Sequence, residues 1–236
     1  FNAPATTWQT LNARSIRACG KITPSALTIY HAEVCGNDFC TSANVSVALD
    51  GSGLYRTHIG GTFYNVELLD PYLDWFWWRI WRDVKLTAGV PAPRIDLEIY
   101  GSFATEPIWE RIFGFIAGDG ASRNGCPVDK ISLRVVEEAP FVAVPNLIIT
   151  KNNHRVAGTL LFNYVTKPEP HMSDFQFRFA GTMPVDDVLE LTGEGVPEIF
   201  RDLQFASSAL VTADVIGNFS GDERFEKDLM AVDVDV

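Results

Sequence analysis

The stretch Arg94-Ile-Asp-Leu-Glu-Ile-Tyr100 carries two carboxylates two residues apart. Read as a strand, it puts Ile95, Leu97 and Ile99 on one face and Arg94, Asp96, Glu98 and Tyr100 on the other. Asp96 and Glu98 then stand about 7 Å apart, a separation compatible with paired-carboxylate glycosidases. The competing expectation, which the sequence favours, is a solvated face with Arg94 as counter-ion. His58 and His154, each shortly before an expected Gly-Thr turn, are the other candidates for a general base. Lone histidines are more often hydrogen-bonded structural residues. Glu137 and Glu138 are adjacent, so on a strand they point to opposite faces and cannot work as a pair.

Motifs for nucleophilic or phosphate chemistry are missing. There is no Gly-x-Ser-x-Gly, no Walker-type loop and no Gly-x-Gly-x-x-Gly. The four histidines show no metal-ligand spacing, and His31, Cys35, Cys40 and Cys19 form the one set that zinc would tolerate. Disulfides are the favoured use of the four cysteines, paired Cys35–Cys40 across the turn "GNDF" and Cys19–Cys126 over a long span. No cofactor and no metal are expected.

A different kind of contact chemistry lies in "DWFWWRIW", residues 74 to 81, which holds four of the six tryptophans. Asp70-Pro71 is a helix-start signal and Gly89 a stop, so a helix over residues 70 to 88 is expected. On its wheel Leu73, Trp77, Ile80, Trp81 and Val84 share the core stripe. Trp75 and Trp78 fall on the opposite side with Arg79, Arg82 and Lys85. Three readings compete for that side: arginines stacked on covered rings, a protein-binding surface, or indoles that stack on a carbohydrate or a flat apolar ligand.

The elements that must position these residues are mostly strands. "SALTIYHAEVC", "PRIDLEIYGSF", "KISLRVVEE", "FVAVPNLIIT", "HRVAGTLLFNYVT", "FQFRFAGTM" and "FASSALVTADVIGNF" are rich in β-branched and aromatic residues. "DGSG" at 50–53 marks a hairpin turn. A second helix is expected over "EPIWERIFGFIAGDG", residues 106 to 120, with Ile108, Trp109, Ile112, Phe113 and Ile116 on one side. The glycine-rich run after it is read as a helix-terminating loop. The first stretch, 5 to 21, reads as a short helix or an irregular arm, and "PVDDVLELTGEGVPEIFRDL" has room for a short helix. The acidic tail is expected to fray or to pair at a sheet edge. The phrases "HIGGTF", "RVAGTL" and "RFAGTM" recur without keeping register in their flanks, so chance is favoured over repetition.

The resulting fold class is α+β and β-rich: a mostly antiparallel sheet or barrel-like sheet system with two helices packed on it, in one domain over 1–236. Hydrophobic residues make up 47% of the chain, enough for a full core. A net charge of −11 with only 19 basic residues argues against nucleic acid, and no apolar run is long enough for a spanning helix. The chain opens "FNAPATTWQ" without methionine or leader, read as a cleaved targeting segment or an excised piece. With sequons at Asn44 and Asn218 and an even cysteine count, this favours a secreted, disulfide-bonded glycoprotein. The expected function is an exported, non-catalytic binding or interaction domain. Its partner would be a protein, a carbohydrate or an apolar small molecule. The alternative is a motif-less lyase, isomerase or hydrolase with a buried apolar pocket.

Overall fold

The computed structural model describes residues 2–3, 6–8, 11–63, 84–86, 90–105, 109–123, 125–138, 140–165, 171–192, 211–218 and 230–235. Its strands are β1 (Asn2–Ala3), β2 (Thr6–Trp8), β3 (Leu11–Ala13), β4 (Ser15–Ile22), β5 (Ala26–Cys35), β6 (Cys40–Ala48), β7 (Leu54–Thr62) and β8 (Val84–Leu86). They continue as β9 (Arg94–Ser102), β10 (Trp109–Arg123), β11 (Cys126–Glu138), β12 (Phe141–Lys151), β13 (His154–Val165), β14 (His171–Gly181), β15 (Val211–Asn218) and β16 (Met230–Asp235). One helix, α1, covers Val185–Thr192.

Fourteen strands form a single antiparallel sheet in which β4, β5, β6, β7 and β9 to β16 follow one another in chain order. β1 pairs beside β4, and β8 pairs with the far end of β10, next in line to β9. Among the described residues the order runs out at β1 and β16, so the sheet is open and not a barrel. The tail pairs at its edge as β16. β2 and β3 form a separate hairpin, so the N-terminal stretch is extended instead of a helix or an irregular arm.

One helix expectation fails, and the other is contradicted at its end. Residues 109–123, inside the expected second helix and its terminating loop, are the long strand β10, paired with β9 on one side and β11 on the other. The residues of this segment fit both periods, because Ile112, Phe113 and Ile116 share a helix face while Ile112, Gly114 and Ile116 share one face of a strand. Gly114 and Gly118 weaken a helix, and two neighbouring strands supply ladder bonds along most of its length. The first expected helix does not reach residue 88, because Val84–Leu86 is strand β8. Trp75, Trp78, Arg79 and Arg82 lie outside the described residues.

Local chemistry explains the turns. At "DGSG", Asp50 Oδ1 accepts hydrogen bonds from Ser52 N at 2.9 Å and Ser52 Oγ at 2.6 Å, and Gly51 and Gly53 have positive φ. The β12–β13 hairpin turns on Asn152 and Asn153, with φ of 51° and 65°, as a two-residue primed turn requires. Pro145 cannot donate to a ladder, and it sits where β12 slips register against β13 between Val144 and Leu147. Cys35 and Cys40 are opposite one another across the β5–β6 hairpin and form a disulfide.

The expected Cys19–Cys126 bridge is not made. Cys19 is exposed on β4 and Cys126 is buried at the start of β11. Six inter-strand steps of about 4.8 Å put them roughly 29 Å apart across the sheet, far beyond disulfide reach.

Helix α1 appears where a short helix was allowed for. The Pro184 carbonyl accepts the Val188 N–H at 3.1 Å, and Asp186 and Asp187 in the first turn meet the positive end of the helix dipole. Leu191 and the preceding Met183 pack with Ala121, Cys126, Val128 and Val156, against Ile131, Ile149 and Phe179. The helix therefore covers one end of the sheet, across β10 to β14.

Candidate functional site

Register assigns every strand residue to one of two faces, and the faces differ sharply. One row of cross-strand partners runs Ile16, Val34, Thr41, Gly61, Ile95, Ile116, Leu133, Leu147, Gly158 and Phe179, crossing all ten strands from β4 to β14. A parallel row runs Ile29, Val45, Thr57, Ile99, Ile112, Glu137, Val142, Phe162 and Phe175. The opposite face carries Arg17, Glu33, Ser42, Gly60, Asp96, Phe115, Arg134 and Asn146 in register. Alternation at period two thus builds one apolar and one largely polar face, with Phe113 and Phe115 as exposed apolar exceptions on the polar side.

The apolar face has two regimes. From β9 to β14 it contains the buried residues Ile95, Ile112, Val135, Val142, Val144, Leu147, Val156, Phe162 and Phe175, with Phe162, Phe175 and Phe177 in ring contact. From β4 to β7 the same face is only half-buried at Ile16, Leu27, Ile29, Val34, Val45, Val47 and Ile59. Ile22, at the rim, is 71% exposed.

Near one rim of this face, Tyr55 stacks on Phe103 with ring centroids 4.3 Å apart. Burial, followed by the charge and hydrogen bond of Glu110, pushes the Tyr55 phenol up to about 12. A phenol that stays neutral in the folded chain but ionises at its ordinary pKa of 10 when unfolded favours folding fully below pH 10. That contribution is lost as pH rises from 10 to about 12. Tyr55→Phe is therefore expected to flatten the alkaline loss of stability over this window in denaturant titrations, and to remove from the ultraviolet absorbance a tyrosine that titrates near pH 12.

On the polar face the structure gathers three of the four catalytic candidates. His58 and Glu98 are cross-strand partners, and His58 Nε2 lies 2.7 Å from Asp96 Oδ1 on the diagonal. Arg56 Nε donates to Glu98 Oε2 at 3.2 Å, and the guanidinium carbon sits 5.2 Å from the centre of the Tyr100 ring. Asp96 and Glu98 therefore engage separate partners, His58 and Arg56, whereas Arg94 was the expected counter-ion. His154 opens β13, five inter-strand steps or roughly 24 Å from His58, and takes no part in the cluster. Neither histidine precedes a turn: Gly60–Thr62 and Gly158–Thr159 lie inside β7 and β13.

The His58–Asp96 contact supplies the base-and-orienter half of a hydrolytic arrangement. Its side chains are 36% and 67% exposed, so water is not shed and charges there interact weakly. A shallow hollow of about 260 Å³ lies beside it, lined among others by Thr28, Tyr30, Asn44, Ser46 and Arg56 at the β5 bulge. Asn44, the first sequon, is exposed on this face. Cys19 and His31 are cross-strand partners, but Cys35 and Cys40 are joined to each other, which removes two thiolates from the possible zinc set.

Sequence reasoning named His58, Asp96, Glu98 and Tyr100 but not Arg56, and it read an apolar side on the strand of Ile95, Leu97 and Ile99 without following it into residues 109–118. The signal was present in Ile112, Gly114, Ile116 and Gly118, whose period of two continues the alternation of Ile95, Leu97 and Ile99. No helix among the described residues is long and apolar enough to cross a membrane. No protein family, curated protein or solved structure matches the chain.

Proposed function

We propose that this chain is a non-catalytic binding domain whose ligand is a hydrocarbon chain, held on the apolar face of the open sheet. The supporting observation is the half-buried aliphatic surface of β4 to β7, which continues in register into the buried apolar face of β9 to β14. Four strands of eight to ten residues present an area about 15 Å across the strands and 27 Å along them. Contiguous apolar surface of that size marks a binding site more often than an idle exterior.

The composition of the surface selects among partners. Protein interfaces concentrate energy in Trp, Tyr and Arg, and sugar sites need flat rings with amides or carboxylates beside them. Here Ile, Leu, Val and Ala predominate, and Tyr55 is the aromatic member. Such a surface offers area and shape with little hydrogen-bond specificity, which suits an alkyl or acyl chain. The Cys35–Cys40 disulfide is compatible with an exported domain, because such bonds persist outside the reducing cytosol.

An enzymatic reading would rest on the His58–Asp96 pair. Its exposure on a solvated face favours a structural hydrogen-bonded contact.

The test is displacement of a fluorescent long-chain fatty-acid probe from the whole chain. Val45→Glu and Ser46→Glu introduce the same charge one residue apart, on opposite faces of β6. Val45→Glu is expected to weaken binding at least about tenfold, near 1.4 kcal/mol, and Ser46→Glu to leave it unchanged. Absence of probe binding by the parent chain, or equal loss in both variants with folding intact by circular dichroism, would overturn the proposal.

A further inference from the structure

Beneath α1, three side chains from three elements meet. Cys126 opens β11 and is completely buried, Lys151 closes β12, and Asp187 is in the first turn of α1. Lys151 Nζ lies 3.2 Å from Cys126 Sγ and 2.7 Å from Asp187 Oδ1. The lysine side chain is only 12% exposed, so its ammonium is solvated largely by protein groups, these two among them. Asp187, chiefly, and then the thiol raise the Lys151 pKa, against the opposing effect of burial.

We propose that Cys126 and Lys151 form an oxidative modification site, at which a peroxide converts the pair into a covalent sulfur–nitrogen link. In the first step the Cys126 sulfur attacks hydrogen peroxide. An S–O bond forms, the O–O bond breaks and water leaves, so that sulfur is oxidised by two electrons and the peroxide reduced. In the second step the Lys151 ammonium gives one proton to Asp187, and the amine attacks the sulfenic sulfur. The N–S bond forms, the S–O bond breaks, and the leaving hydroxide takes a second nitrogen proton to become water. Thiol, amine and one peroxide give the link and two waters.

The arrangement of the other sulfurs decides the fate of the sulfenic acid. Cys35 and Cys40 are already bonded to each other, and Cys19 is roughly 29 Å away across six inter-strand steps. No resolving thiol of this chain can reach Cys126, whereas an amine touches it. Cys126 is completely buried, so the peroxide reaches it by local opening of the eight-residue helix that covers it. The link has a structural consequence, because it consumes the Lys151 charge that holds Asp187. It therefore loosens the helix that covers one end of the apolar face.

The experiment exposes the full chain to hydrogen peroxide, digests it without reduction and maps the peptides by mass spectrometry. The expected product joins the Cys126 and Lys151 peptides with two hydrogens lost and no oxygen gained. It resists trypsin after Lys151 and is reversed by dithiothreitol. Lys151→Arg keeps a cation beside Asp187 and is expected to end instead as sulfinic or sulfonic acid on Cys126, with no link. In the parent chain, an unreacted Cys126, an oxygenated Cys126 without a link, or a link that retains oxygen would overturn the proposal. The parent measurement decides even where the variant fails to fold.

Discussion

Val142→Asp is expected to cost about 4 kcal/mol or more and to leave little folded chain at ambient temperature. Val142 is 0% exposed on the apolar face, and its cross-strand neighbours are Glu137 and Phe162. A carboxylate there loses its water and gains an aromatic ring on one side. On the other it meets Glu137, itself only 6% exposed, so a second carboxyl is crowded into the same buried place. Thr159→Asp is the matched control. Thr159 is exposed on the polar face of β13 with Arg178 directly opposite, so its replacement should change stability by no more than about 0.5 kcal/mol. Urea titration of the two variants measures the difference. Equal losses would mean that the two faces are not segregated as register assigns them, and the proposed ligand surface would go with them.

Gly61→Val should lower stability by about 3 kcal/mol, through two costs that can be separated. Gly61 has a φ of 121°, which side chains rarely adopt, and an added Cβ would run into the Cys40 carbonyl oxygen of the neighbouring strand. Gly51 in the β6–β7 turn has a φ of 91° with open space around it, so Gly51→Ala reports backbone strain alone, at about 1 kcal/mol. Thermal unfolding of both variants checks the gap between them. Similar small losses would show that strand approach at Gly61 is not tight.

The same crowding links three phrases that look like coincidence in the sequence. Gly61, Gly158 and Gly181 are the glycines of the recurring Gly-Thr pairs, and a Cβ at each would strike a carbonyl of the adjacent strand, at Cys40, Arg178 and Arg155. At Gly158 the Phe179 ring also closes over the space. The recurrence needs no repeated unit. Close approach of neighbouring strands on the apolar side is a sufficient physical cause, and it would select glycine independently at each place.

Covering the sheet end with α1 and leaving β4 to β7 half-exposed gives the apolar face a closed and an open part. The proposed ligand surface, on β4 to β7, and the proposed oxidation site, under the helix over β10 to β14, stand on separate observations. The first rests on register and exposure, the second on a thiol, an amine and a carboxylate in contact.

By itself the sequence determined what depends on neighbours along the chain. Alternation in "RIDLEIY" and "KISLRVVEE", the turn residues of "DGSG", and two cysteines flanking "GNDF" each specify local geometry, and strands, hairpin and disulfide stand where they were expected. Local pattern could not settle residues 109–118, where apolar residues satisfy helical and extended periods at once. There, pairing with β9 and β11, decided by distant parts of the chain, selects the strand. Only the tertiary structure could place His58 beside Asp96, 38 residues away, keep His154 apart from both, or bring Cys126, Lys151 and Asp187 together. Periodicity tells a strand which of its sides is apolar. Which strands lie next to it, and therefore how far that side extends, is set by hydrogen-bond register between segments that local sequence does not connect.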